Sequence, residues 1–197
     1  RDVVFHFVQG LHCFRVIERE SQKQPFAGLR VVLRHFLSVP VSDAKQKHGF
    51  GAAVSRGLTP QVHGLTDVFG DDWQDEYYIW DCAAGTGNLL HGLTNKYNIW
   101  ASTLDMQDVE VMHDRIKNGA NLLDNHVFQF DFLNDDYSKL PKPLQDIIND
   151  PEKRKKLIVY INPPYKRGLG VANTKWHCDE LGEAKDELYI QFLFRIY

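Results

Sequence analysis

The stretch that decides the fold is YYIWDCAAGTGNLL, residues 77–90. Its first five residues are a short apolar run closed by Asp81, which predicts a strand. A turn containing Gly85 and Gly87 follows directly. Glycine lets a backbone turn tightly and approach a ligand, and N–H groups at a helix start favour an anionic group. We therefore predict a strand, a turn and a helix over residues 88–97. The turn is either a ligand-binding turn or the ordinary glycine-rich connection between a strand and a helix.

The same alternation of strand and helix continues along the chain. It predicts further strands at 98–105, 126–131 and 156–162, with helices at 107–120 and within 139–155. Strands separated by helices indicate βαβ units, and hence an α/β fold with a doubly wound, mostly parallel sheet. Each predicted strand ends in a polar residue, and these residues are Asp81, Asp105, Asp131 and Asn162. Ligands of such sheets bind beyond the carboxyl ends of the strands.

The last predicted strand runs into an unusual segment, LIVYINPPYKRG, residues 157–168. Two consecutive prolines, Pro163 and Pro164, cannot continue a strand ladder and stiffen the backbone. One interpretation is a rigid turn that ends the strand and is covered by Tyr165. The other is an active site at the tip of a parallel strand, with Asn162 as its polar group.

The polar strand ends have similarly open interpretations. Asp105 is suited to hydrogen-bond two ribose hydroxyls, but an Asp at a helix start is often only a cap. Asp131 could accept from an adenine amino group while Phe132 packs on the ring, but Asp after a strand is often a turn former. The glycine turn does not match a dinucleotide fingerprint, because Leu90 stands where the third glycine would be.

The first fifty residues differ in pattern from the rest. Leu29, Val32, Leu33 and Phe36 share one face at helical spacing, so we predict an N-terminal helical segment and loop over 1–50. Thr59 and Pro60 then resemble a helix N-cap followed by proline at the first helical position. The remaining domain is predicted to span residues 51–197.

Composition narrows the function classes. With 197 residues, 43% of them hydrophobic, the chain suits one domain, and no apolar run is long enough to span a bilayer. The net charge of −3 gives the chain no overall positive charge that would indicate binding to nucleic acid. Three scattered cysteines favour a reducing, cytoplasmic setting over a disulfide framework. Residues 177–180 lack the second spaced pair that a zinc site needs, so no metal is predicted.

Taken in order, these motifs resemble those of the S-adenosylmethionine-dependent DNA adenine-N6 methyltransferases in which the cofactor motif precedes the catalytic motif. The family's glycine motif corresponds to residues 81–90, with Cys82 and Ala84 replacing its usual Pro and Cys. TLDM at 103–106 and FQFDFL at 128–133 are similar to the second and third motifs, and LYIQF at 188–192 to a later one. Residues 162–165 are the catalytic tetrapeptide Asn-Pro-Pro-Tyr intact. The resemblance covers roughly residues 55–197.

The resemblance implies a site-specific DNA methyltransferase with a Rossmann-like methyltransferase sheet, which we expect to be incomplete at the C-terminus. The implied catalytic residues are Asn162, Pro163, Pro164 and Tyr165. The implied residues that bind S-adenosyl-L-methionine are Thr59, Pro60, Asp81, Ala83, Gly85, Gly87, Asn88, Asp105, Met106, Asp131, Phe132 and Phe192. The Asn162 side-chain oxygen and the Pro163 carbonyl would accept hydrogen bonds from the amino group of a flipped-out adenine. Tyr165 would stack on that base.

The implied partner is double-stranded DNA, together with a specificity or restriction subunit or a fused domain of a restriction-modification system. No membrane partner is expected. Two alternatives stay open. The acceptor could be a protein glutamine amide or an RNA amino group, because the same two oxygens polarise any planar amino nitrogen. The chain could also be an inactive DNA-binding subunit with a methyltransferase fold.

Overall fold

The structure is a computed structural model that describes residues 13–18, 30–35, 65–66, 68–164, 174–175, 182 and 185–196. Its strands are β1 Cys13–Glu18, β2 Arg30–His35, β3 Tyr78–Asp81, β4 Ile99–Thr103, β5 Val127–Gln129 and β6 Leu157–Ile161. Its helices are α1 Trp73–Glu76, α2 Met106–Lys117, α3 Lys142–Asn149, α4 Pro151–Arg154 and α5 Leu188–Ile196. Thr59, Pro60 and Tyr165 lie outside the described residues.

The strands form one sheet in the order β1-β2-β6-β3-β4-β5. Only β1 is antiparallel to its neighbour, and every other pairing in the described sheet is parallel. The predicted α/β class with a mostly parallel sheet is therefore confirmed. From β3 the chain passes to β4 and β5 on one side and then returns to β6 on the other. The strand order thus reverses between β3 and β6, where open α/β sheets place their ligand crevice.

Side chains alternate between two apolar layers, one on each face of the sheet. Ile79, Ile158 and Tyr160 pack in one layer with Met112 of α2. Their chain neighbours Trp80 and Val159 point into the other layer, which contains residues of α3 and α5. Parallel strands covered on both faces read as continuous apolar runs, which explains the sequence LIVYI of β6. Full burial of each large apolar side chain contributes roughly 1.5–3 kcal/mol to this arrangement.

The prediction of an N-terminal helical segment is wrong at Cys13–Glu18 and Arg30–His35, which form β1 and β2. The apolar spacing around Leu33 also fits a helix, and periodicity alone cannot separate a short apolar run in a strand from one in a helix. β2 contains adjacent β-branched residues and pairs in parallel with β6, with Arg30 opposite Ile158. These strands therefore extend the predicted catalytic sheet instead of preceding it as a separate segment.

Elsewhere the predicted elements are largely confirmed, with one correction. All four strands predicted between residues 77 and 162 are present, and α2 matches the helix predicted at 107–120. The helix predicted at 88–97 is wrong, because only two short 3-10 turns form, at Asn88–Leu90 and Lys96–Asn98. Gly92, at φ +90°, adopts a left-handed conformation that no right-handed helix can contain.

Candidate active site

The turn after β3 is built on one buried carboxylate and two glycines. Oδ1 of Asp81 accepts a hydrogen bond from the backbone N–H of Ala83 at 3.1 Å. Gly85 and Gly87 have φ of +51° and +81°, a region that L side chains rarely adopt. A Cβ on Gly87 would also come within 3.2 Å of the Met112 side chain. The second glycine therefore lets the turn pack closely on α2.

Asp81 itself is only 1% exposed. Burial raises the pKa of its carboxyl to about 7, and the hydrogen bond from Ala83 opposes that rise only in part. In this structure the Asp81 side chain stabilises the glycine turn through its hydrogen bond with Ala83. It does not line the cavity described next.

A cavity of about 270 Å³ lies beyond the carboxyl ends of the strands. It spans the ends of β6, β3 and β4 and the segment that follows β5. Three described lining residues, Thr103, Asp108 and Asn162, have side-chain oxygens that can accept hydrogen bonds, and no described lining residue is Lys, Arg or His. The lining residues are Cys82, Ala83, Gly85, Thr103, Leu104, Asp108, Phe130, Phe132, Asn162, Pro164 and Phe192.

Asn162 follows β6 directly, on the far side of the strand-order reversal from the glycine turn. Its side-chain oxygen Oδ1 is buried, and the described part of the chain offers it no hydrogen-bond donor. Pro163 is buried beside it, while Pro164 is exposed and lines the cavity. A buried acceptor without a partner costs about 1–3 kcal/mol, so it requires an explanation.

The aromatic wall of the cavity is formed by two segments that are distant in sequence. Phe132, after β5, stacks on Phe192 of α5 with ring centroids 5.1 Å apart and planes at 14°. Arg195, one helical turn further along α5, lies over Phe132 at 4.9 Å and over Tyr137 at 4.2 Å. Its Nη2 also donates to the carbonyl of Asp135 at 2.6 Å. These contacts hold α5, and hence Phe192, against the strand ends.

Two predicted acidic residues have local structural roles. Asp105 is exposed and caps α2, with Oδ1 accepting from the N–H of Gln107 at 2.9 Å. Asp131 accepts from the N–H groups of Leu133 and Asn134, both at 3.0 Å, and from the Asn134 side chain at 2.9 Å. Neither carboxylate is among the residues that line the cavity. Met106 is 52% exposed beside this edge of the sheet.

Two other predicted residues, Gly87 and Asn88, face a second and larger cavity of about 510 Å³. It lies between the turn after Gly87 and the C-terminal end of α2, where Arg115 Nη1 donates to Asn88 Oδ1 at 2.7 Å. This cavity contains none of the polar strand ends. We therefore place the candidate site in the smaller cavity, where six predicted residues meet: Ala83, Gly85, Phe132, Asn162, Pro164 and Phe192.

Sequence reasoning missed Cys82, Thr103, Leu104, Asp108 and Phe130 as lining residues. For Asp108 a signal was available. It lies in the first turn of the helix that follows β4, and such a turn faces the same edge of the sheet as the strand ends. Leu104 is 66% exposed, as expected of an apolar side chain at the mouth of a cavity.

No protein-family model, no curated protein and no solved structure matches this chain. None of the helices in the described part of the chain is long and apolar enough to cross a lipid bilayer. In the same part of the chain, no three His, Cys, Asp or Glu side chains are grouped so that they could hold a metal ion.

Proposed function

We propose that this chain carries the catalytic site of an S-adenosyl-L-methionine-dependent methyltransferase with a Rossmann-like sheet. The proposed acceptor is an amino nitrogen, with N6 of a flipped-out adenine in DNA as the first candidate. The observation that carries the proposal is the Asn162 Oδ1 atom in the lining of an aromatic cavity, which is buried and receives no hydrogen bond from the described residues. A substrate amino group would supply that donor.

The chemistry of the cavity fits the proposed cofactor. When bound, S-adenosyl-L-methionine supplies a methyl group on a positively charged sulfonium. The described lining residues supply carboxylate and amide oxygens and three phenylalanine rings, and none of them is basic, which suits a cationic ligand with a planar ring. The same lining disfavours a ligand with phosphate groups, which Arg, Lys and clustered backbone N–H groups usually bind.

The residues after β6 would act on the acceptor. The lone pair of an adenine amino nitrogen is delocalised into the ring, which makes the nitrogen a weak nucleophile. Hydrogen bonds from its N–H groups to Asn162 Oδ1 and the Pro163 carbonyl would localise that pair and stabilise the positive charge that develops. Pro164 restricts the backbone of Pro163 to an extended conformation, which would keep the carbonyl in place.

The DNA assignment depends on the sequence motifs. A base inside a duplex cannot reach such a cavity, so the adenine would have to flip out at a cost of a few kcal/mol. Stacking on Tyr165, worth about 1–3 kcal/mol, would offset part of that cost. The order of the motifs from Thr59 to Phe192 favours DNA over a protein amide or an RNA amino group, to which the same oxygens could bind.

The test is transfer of a labelled methyl group from S-adenosyl-L-methionine by the full-length protein. Duplex DNA, RNA and a glutamine-containing protein extract are offered in parallel, and we expect label in DNA at adenine N6. If the label appeared only in RNA or only in protein, DNA would be rejected as the acceptor in favour of that substrate. Absence of transfer to all three, with the cofactor bound, would favour the inactive DNA-binding subunit.

The matched variants are Asn162→Ala and Asn125→Ala. Asn125 is exposed and precedes β5, so it lies at the opposite edge of the sheet. Loss of one aligned hydrogen-bonding group typically lowers the rate constant about 10²–10³-fold. We expect that loss for Asn162→Ala, with cofactor affinity retained, and normal transfer for Asn125→Ala. Wild-type transfer by Asn162→Ala would refute the proposed role of this residue.

A further inference from the structure

Two carboxylates lie at the N-terminal end of α2, and only one of them faces the cavity. Asp105 is the exposed cap, and its Oδ1 is occupied by the N–H of Gln107. Asp108, one turn further along, is half-buried and lines the cavity. Its only side-chain hydrogen bond in the described part of the chain comes from Thr103 Oγ1, at a long 3.4 Å. The Asp108 carboxylate therefore keeps acceptor capacity on the cavity side.

From this geometry we infer that Asp108, and not Asp105, is the carboxylate that binds the ligand of this cavity. It would accept hydrogen bonds from N–H or O–H donors of the ligand. In the proposed cofactor these donors are the ammonium group of the amino-acid portion or the ribose hydroxyls. The inference rests on the proposed function, because it assigns a residue to the binding of that cofactor.

The position of Asp108 relative to Asn162 supports the assignment. Asn162 follows β6 and Thr103 ends β4, with β3 between them. Neighbouring strands are about 4.8 Å apart, so these two ends of the cavity are separated by about 10 Å. A ligand extended along the edge could thus place its reacting group near Asn162 and its donor groups near Asp108, with the glycine turn between them.

Gly85 keeps the space beside this carboxylate open. A Cβ on Gly85 would lie 3.9 Å from Asp108 Oδ2, and apart from the two chain neighbours of Gly85 no other described residue comes within 4 Å of that position. The absence of a side chain here therefore lets a ligand group enter between the turn and the first turn of α2. The N-terminal end of a helix also favours a negatively charged side chain, and Asp108 lies in the first turn of α2.

The experiment measures binding to the full-length protein by calorimetry, with S-adenosyl-L-homocysteine and with adenosine as ligands. The variants are Asp108→Asn, Asp108→Glu, Asp105→Asn and Glu110→Gln. Glu110 is an exposed acid on the same helix and controls for the loss of one charge. Thermal unfolding of each variant identifies any loss of affinity that comes from loss of the fold.

We expect Asp108→Asn to weaken the binding of S-adenosyl-L-homocysteine about 10- to 100-fold, the usual worth of a hydrogen bond to a charged group. Asp108→Glu should retain part of the affinity because it keeps the carboxylate, and it tests the assignment if the amide variant does not fold. Asp105→Asn and Glu110→Gln should change the affinity less than threefold. An equal loss for adenosine assigns the ribose hydroxyls to Asp108, whereas a loss confined to S-adenosyl-L-homocysteine assigns the ammonium group.

The two proposals fail in different ways. If the wild type binds the ligands and Asp108→Asn binds them with less than a tenfold loss, only the assignment of Asp108 is overturned. A loss at Asp105→Asn as large as that at Asp108→Asn overturns it as well. If the wild-type protein binds neither S-adenosyl-L-methionine nor these analogues, the proposed cofactor is wrong, and the assignment fails with it.

Discussion

The segments that follow β5 and β6 carry polar side chains of similar size that differ in their hydrogen bonding. Asp131, after β5, accepts three hydrogen bonds within its own turn, from Leu133 and from the backbone and side chain of Asn134. Asn162, after β6, has a buried Oδ1 for which the described residues provide no donor. A polar group that is satisfied by its own turn stabilises the fold. A buried group that lacks a partner points to a ligand.

The end of β3 combines features of both cases. Asp81 is as buried as the core, yet its carboxylate has a hydrogen bond from Ala83. Along the sheet edge the order of the four polar ends is Asn162, Asp81, Asp105 and Asp131. Asn162 Oδ1 has no donor among the described residues, Asp81 is buried, Asp105 caps α2, and Asp131 is hydrogen-bonded within its own turn. Substitutions at these ends should affect different properties of the protein, and three of them test that difference.

The largest effect is expected for Asp81→Asn, as a change in how stability depends on pH. Burial raises the pKa of Asp81 in the folded protein to about 7, above an unfolded value near 3.8. The folded state then binds more protons between these values, so this group's contribution to stability is fully present below pH 4 and is lost as the pH rises to 7. A shift of about three pKa units corresponds to a change on the order of 4 kcal/mol.

Urea unfolding of the wild type and Asp81→Asn between pH 4 and pH 8 measures this effect. The stability of the wild type relative to the variant should fall between pH 4 and about pH 7 and level off above that pH. A constant difference between the two proteins would show that the Asp81 carboxyl titrates at an ordinary pKa in the folded state.

A smaller effect is expected for Asp131→Ala. The substitution removes three hydrogen bonds that close the turn after β5, and we expect the free energy of unfolding to fall by about 2 kcal/mol. Asp72→Ala is the matched control, because Asp72 is exposed and its side chain makes no capping hydrogen bond. Chemical denaturation at pH 7 should separate the two variants, and an equally stable Asp131→Ala would contradict the turn-forming role.

The smallest effect on stability is expected for Asn162→Ala. The variant loses some packing but also removes a buried acceptor without a donor, so its free energy of unfolding should stay within about 1 kcal/mol of the wild type. A loss as large as that of Asp131→Ala would mean that the Asn162 oxygen is used by the fold. Retained stability together with lost methyl transfer would separate the role of this residue from that of Asp131.

Much of the fold was predictable from local patterns. The strands ending at Asp81, Thr103 and Ile161 are short apolar runs bounded by polar residues or prolines. The apolar run and its boundary can both be recognised from residues adjacent in the sequence. Helix α2 begins after Asp105, which caps it as an Asp at a helix start commonly does. The N-terminal strands were not predictable in this way, because the apolar spacing around Leu33 also fits a helix and pairing with β6 decides between them.

The candidate site was predictable only in part. Six of the residues that the motifs singled out line the cavity, namely Ala83, Gly85, Phe132, Asn162, Pro164 and Phe192. The motifs assigned the acidic role to Asp105, the residue closest to the strand end, and Asp108 was not considered. Which carboxylate caps the helix and which faces the cavity depends on the turn of α2 and on its distance from Gly85. Neither the orientation of α2 nor this distance can be read from the amino-acid sequence.

The amino-acid sequence alone determined the α/β class with a mostly parallel sheet, the glycine turn and the row of polar residues at the strand ends, because each can be predicted from a pattern of residue types along the chain. The tertiary structure decided the order of the strands, the pairing of β2 with β6 and the state of each polar end. Whether a buried oxygen has a donor depends on atoms brought together from distant parts of the chain. That is why Asp131 and Asn162 look equivalent as strand ends in the sequence and differ in the folded protein.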